Sequence, residues 1–234
     1  MNDSNRVYPV IIDPSTSLEV GSTDYYVWKY VYPNGTVTQW GRPASTPVPT
    51  LYTGNNWNGV QNRFKRSIVR WPVSSSARAI LTSAQGFSGF NIQLFYAANL
   101  GSSSTTDDLQ VGAIDEDYPT SLTPTTNSAM NDLFNKIDDI SAGGNIWTNR
   151  VWVATMSNVG FNRFIAIPSE TESNAVISNV INNNESFIIG LSGRFETSGS
   201  TTEVQYNGVG ANSNRPMLSI NYICNNQVNV CDVC

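Results

Sequence analysis

The chain of 234 residues is long enough to bury one large β core, and its 13% charged residues are about half of what a soluble domain usually carries. Histidine is absent, so the commonest general base, the commonest zinc ligand and every histidine-based triad are missing; hydrolytic and metal chemistry are disfavoured. A net charge of −5 without a concentrated basic face argues against nucleic-acid binding, and no apolar run approaches the roughly 20 residues of a membrane span.

In chain order, Val7–Ile12 reads as an extended segment ending at Asp13-Pro14. Tyr25–Tyr32 is dense in aromatic and β-branched residues that fit a pleated surface. Pro33-Asn34-Gly35-Thr36 supplies turn chemistry, and Val37–Trp40 is the return strand of a hairpin. Residues 41–62 are loop-like, with Pro43, Pro47, Pro49 and the run Gly54-Asn55-Asn56-Trp57-Asn58-Gly59. Arg63, Lys65, Arg66 and Arg70 follow a roughly strand-like alternation and are read as a solvated face. Arg66–Val73 has a strand core stopped by Pro72. Phe90–Ala97 alternates as a half-buried strand should, and Leu109–Ile114 resumes an extended pattern.

Two segments break this pattern. In Asn127–Ile140 the apolar residues Met130, Leu133, Phe134, Ile137 and Ile140 form a helical stripe, with Asn127 or Ser128 as N-cap and Gly143-Gly144 as a stop. In Ser169–Asn182, Glu170 and Glu172 precede an apolar run, and acidic residues near a helix start suit its dipole. Further strands are expected at Arg150–Met156, Arg163–Ile167, Ser186–Ser192, Glu203–Tyr206 and Met217–Tyr222. Short strands separated this often by turns predict an all-β, antiparallel β-sandwich (jelly roll) with one or two short helices capping it.

Candidate sites are few. Trp40 and Trp57 lie in turn-rich segments; they either pack beneath the loops or stack on sugars beside asparagine amides. Asp115, Glu116 and Asp117 are read as a solvated acidic turn, with calcium binding as the alternative, and Asp107-Asp108 and Asp138-Asp139 likewise. No acid/base pair is supported by a motif, and no cofactor is expected. Cys224, Cys231 and Cys234 are the only cysteines and close the chain. An odd number there favours covalent assembly, one intrachain bridge plus an interchain bond or bonds wholly between subunits, over free thiols or a metal site short of ligands. Asn34-Gly35-Thr36 and Asn184-Glu185-Ser186 are glycosylation sequons that matter only on a eukaryotic secretory route.

One resemblance adds to this reading. Asn62-Arg63 followed by Ser67-Ile68-Val69-Arg70-Trp71-Pro72-Val73 resembles the N-R-x-L-x-R-F-D strand of DNRLRE-type domains, with Trp-Pro in place of Phe-Asp. The order of a helix at Ser169–Asn182, an apolar strand at Phe187–Leu191, Phe195-Glu196-Thr197-Ser198 and a closing Arg215-Pro216-Met217-Leu218-Ser219-Ile220-Asn221-Tyr222 resembles the same family. The resemblance spans roughly residues 50–222. It implies a carbohydrate-binding-module-like jelly roll, commonly a noncatalytic part of a larger surface or secreted protein.

The expected organisation is a β-hairpin extension at 1–49 packed on the main body, a sandwich at 50–222 and a cysteine-containing tail at 223–234. A polar surface rich in Ser, Thr, Asn and Gly suits virion and extracellular proteins. The polar start, Met1 to Arg6, lacks the apolar core that export requires. Together these point to a noncatalytic structural protein of a virion (capsid-associated, decoration or fibre) or of another extracellular assembly. Its partners are copies of itself or neighbouring structural proteins. The alternative is a carbohydrate-binding module or adhesin that recognises surface glycans; neither nucleic acid nor membrane insertion is expected.

Overall fold

The computed structural model describes residues 7–12, 24–99, 109–114, 121–138, 151–153, 163–168, 171–183, 185–193 and 199–223. In chain order the elements are β1 (Val7–Ile12), β2 (Tyr25–Val31), β3 (Val37–Gly41), β4 (Thr50–Trp57), β5 (Asn62–Trp71), α1 (Ser75–Ser83), β6 (Gly86–Leu94), β7 (Tyr96–Asn99) and β8 (Leu109–Ala113). They continue with α2 (Asn127–Asp138), β9 (Val151–Val153), β10 (Arg163–Pro168), α3 (Thr171–Asn182), β11 (Phe187–Gly193), β12 (Val204–Asn207) and β13 (Met217–Ile223).

The fold is an antiparallel β-sandwich. One sheet has the order β1-β13-β6-β10; the larger runs β7-β12-β4-β5-β11-β8-β9, with β2 and then β3 added along the other edge of β5. Between the sheets lies the main core, where Phe90, Ile92, Leu94, Leu218 and Ile220 meet Val69, Trp71, Phe187, Ile189 and Leu191. Phe90 and Phe187 touch edge to face, with ring centroids 4.9 Å apart, a favoured aromatic geometry. α1 and α3 add Leu81, Val176, Ile177 and Val180 to this core.

A second core fills the opposite face of the large sheet. There α2 lays Met130, Leu133, Phe134 and Ile137 on Tyr25, Val27, Val31, Phe64, Ile68 and Ile188. The stripe expected from the sequence is therefore the buried one; Ile140 and Gly143-Gly144 lie outside the described residues. Burial on both faces explains why β11 is buried along its whole length and reads as an unbroken apolar run. Gly190 lets α2 approach, since a Cβ there would meet Ile137 Cγ2 at 3.0 Å and Ile114 Cδ1 at 2.9 Å.

Four expectations are corrected. Three short helices are present among the described residues, not one or two: α1 is capped by Ser74, whose Oγ accepts the Ala77 N–H at 3.2 Å. The N-cap of α2 is Thr126, whose Oγ1 accepts the Ala129 N–H, rather than Asn127 or Ser128. The 41–62 stretch is not all loop, because it holds β4. Its polar groups reach partners outside the strand: Asn55 Nδ2 donates to Asn62 Oδ1 and to Ser200 O, both at 2.7 Å, and the Asn55 backbone O accepts the Thr202 N–H at 2.8 Å. Finally, the basic stretch is not a solvated face. Lys65 and Arg66 are only 5% and 8% exposed.

Two clamps bind the elements together. Arg78 of α1 donates to the carbonyls of Val180, Ile181 and Glu185, tying off the C-terminal end of α3. Asp24, fully buried, accepts the Val48 N–H on Oδ1 at 2.8 Å and the Val209 N–H on Oδ2 at 2.6 Å, joining two loops to the start of β2.

Candidate functional site

Alternation along β2 separates its residues. Tyr25, Val27 and Val31 enter the core under α2, while Tyr26, Trp28 and Tyr30 stay half-buried on the other face. Register with β5 sets Tyr30 opposite Arg63 and Trp28 opposite Lys65. Rings and cations therefore interleave.

The resulting cluster is continuous. Tyr26 stacks on Trp28 with centroids 5.5 Å apart and meets Tyr52 edge-on at 4.7 Å. The Arg63 guanidinium lies 4.6 Å from the Trp28 ring and 5.5 Å from Tyr30. Lys65 Nζ sits 3.9 Å above Tyr52 and 2.8 Å from Glu203 Oε2. That ion contact is close, and the Glu203 carboxylate acts on the ammonium through both the short contact and its charge. Glu203 Oε1 accepts from Gln205 Nε2 at 2.9 Å. Gly41 pairs with Trp28 across the hairpin, and a Cβ at Gly41 would fall inside the indole. Only glycine lets the ring lie flat there.

Electrostatics follow from burial. Desolvation pushes the Tyr26 phenol upward, helped by Tyr52 and Glu203 and opposed by Arg63. Burial also lowers the Lys65 ammonium, and the Glu203 carboxylate beside it pulls the other way. Arg63 is different. Its guanidinium lies close to the Trp28 and Tyr30 rings, its Nε is buried with no acceptor, and it makes no hydrogen bond among the described residues. The outer N–H edge of the guanidinium remains for an oxygen acceptor. A flat aromatic stack beside such an edge can hold a ring with one apolar face and a polar rim.

The residues singled out from sequence sit elsewhere. Trp40 belongs to β3, pairs with Lys29 and meets Phe134 of α2 edge-on at 5.7 Å, on the side of the second core. Trp57 is the last residue of β4, half-buried opposite Asn62, with its backbone N–H donating to Thr201 Oγ1 at 3.1 Å. Neither joins the ring cluster. Cys224, Cys231, Cys234, Asp115, Glu116, Asp117 and the Asp107-Asp108 pair lie outside the described residues, as does Asp139 next to Asp138, the last residue of α2. Among the described residues no three cysteine, aspartate or glutamate side chains gather as a metal site would require.

The ring cluster has a sequence signature of its own: Tyr26-x-Trp28-x-Tyr30 in one strand and Arg63-x-Lys65 in another. Compared with known protein families and with curated proteins, the chain matches no family model and no curated sequence.

Proposed function

We propose that this chain is a noncatalytic recognition module that binds glycans through the face built on Tyr26, Trp28, Tyr30 and Arg63. The carrying observation is an arginine beside two rings, with no hydrogen bond among the described residues, set in a row of partly buried aromatics. Sugar rings offer an apolar face for the rings and oxygens for the guanidinium. The likeness to DNRLRE-type jelly rolls supports the same reading. In this reading binding resides on the sheet face, not at Trp40 or Trp57. Glycan arrays covering neutral and acidic sugars, followed by titration, test it. Trp28→Ala is expected to weaken binding about tenfold, roughly 1.4 kcal/mol for one aromatic contact, with the fold intact by circular dichroism. Trp40→Ala and Trp57→Ala should leave affinity unchanged. Absence of binding across the array, or loss confined to Trp57→Ala, would overturn it.

A second reading, that the module belongs to a virion or other extracellular assembly and contacts copies of itself, has its own observation. Tyr32, Val37 and Val60 are the exposed large hydrophobic residues among those described, at 41%, 42% and 62%. All three lie at the tips of the β2–β3 and β4–β5 hairpins, which a Thr38 Oγ1 to Gln61 Oε1 hydrogen bond holds side by side at 3.2 Å. Apolar tips joined in this way suit subunit contact. Light scattering should give an oligomer that Val60→Asp dissociates, and a non-reducing gel should show crosslinked species if Cys224, Cys231 or Cys234 bridges subunits. A monomer by both measurements would sink this reading.

A further inference from the structure

The sequence contains three Asn-Gly pairs, Asn34-Gly35, Asn58-Gly59 and Asn207-Gly208. In such pairs the backbone nitrogen of glycine can attack the asparagine side-chain carbonyl carbon. The bond to the side-chain amino group breaks, and ammonia leaves with the proton displaced from the backbone nitrogen. Water then opens the cyclic imide to aspartate or isoaspartate, with no change of oxidation state. The nucleophile is the glycine nitrogen after it loses its proton, so a glycine N–H already committed to an acceptor is held back.

The fold treats the three pairs differently. Gly35 N donates to Tyr32 O at 2.9 Å inside the β2–β3 turn. Gly208 N donates to Pro49 O at 2.9 Å, while Asn207 Nδ2 is fastened to the carbonyls of Ser213 and Asn214. Gly59 N makes no hydrogen bond among the described residues, and both Asn58 and Gly59 are exposed. Asn58 Oδ1 also accepts the Val60 and Gln61 N–H groups at 3.0 and 2.9 Å. Those donors draw electron density from the carbonyl carbon and make it a better electrophile. We infer that Asn58 is a site of spontaneous deamidation in the folded protein, selected over Asn34 and Asn207 by the unbonded Gly59 nitrogen and the doubly hydrogen-bonded side-chain oxygen. The product charges the hairpin tip that carries Val60.

Site-resolved peptide mass mapping of the full chain, held in mildly alkaline buffer, reads the conversion at each asparagine. Asn58 is expected to convert about fivefold faster than Asn34, the factor set by one hydrogen bond of about 1 kcal/mol, and Asn207 more slowly than both. In concentrated denaturant the three rates should converge, because the local sequences are then equally free. Equal conversion of Asn34 or Asn207 in the folded protein, or the same order persisting in denaturant, would overturn the inference.

Discussion

Replacing Lys65 by methionine alone is expected to destabilise the protein by about 3–5 kcal/mol, because a buried carboxylate is left without its counter-charge. Glu203 is fully buried and Lys65 nearly so, and their charged atoms are 2.8 Å apart. Glu203→Leu alone should cost a similar amount by stranding the ammonium over Tyr52. The double variant, with both charges gone and the volume retained, should recover most of the loss, since apolar pairs of similar size usually equal or exceed a buried ion pair. Urea unfolding of the four proteins measures the coupling. A double variant no more stable than the worse single would show that shape, not charge, holds this position.

The second large effect sits at Asp24. Asp24→Ala is expected to cost about 2–5 kcal/mol, since the buried N–H groups of Val48 and Val209 both lose their acceptor. The carboxyl also makes stability depend on pH. Burial raises it from 3.8 to about 6, against the pull of the Val209 and Val48 amides. The folded state thus holds this proton more tightly than the unfolded chain does. Its contribution is complete below about pH 4 and is lost as pH rises through about 6, a change of about 3 kcal/mol at most. Asp24→Asn cannot titrate, and its amide can accept only one of the two N–H groups. The gap between wild type and Asp24→Asn should therefore narrow from pH 4 to pH 7 in parallel denaturation series. Parallel stability curves would show that the carboxyl titrates at its ordinary value.

Much of this architecture is legible in the sequence, and the reason is periodicity. The β2–β3 hairpin, the closing strand and the stripe on α2 all carry patterns that depend only on neighbours in the chain. β4 does not. Its Gly54-Asn55-Asn56 core resembles a loop until Asn62, Ser200 and Thr202, remote in sequence, supply the partners its amides need. Lys65 and Arg66 depart from the sequence expectation for a related reason. Alternating charge looks solvated unless a carboxylate from far along the chain, here Glu203, and rings on both faces receive it. α1 carries a local signal of its own, Ser74 as cap ahead of Ala77-Arg78-Ala79-Ile80-Leu81, flanked by strands on both sides. The site was half legible. Tryptophans beside turns stand out in a sequence, whereas rings placed two apart in a strand look like ordinary sheet residues.

β5 feeds two interiors at once: Val69 and Trp71 point into one, Phe64 and Ile68 into the other. Sliding that strand by a single residue would exchange the two sets and spoil both linings together. Neither interior can therefore loosen by shifting β5 without the other yielding, and the aromatic face of β2, which pairs with the same strand, is tied to both.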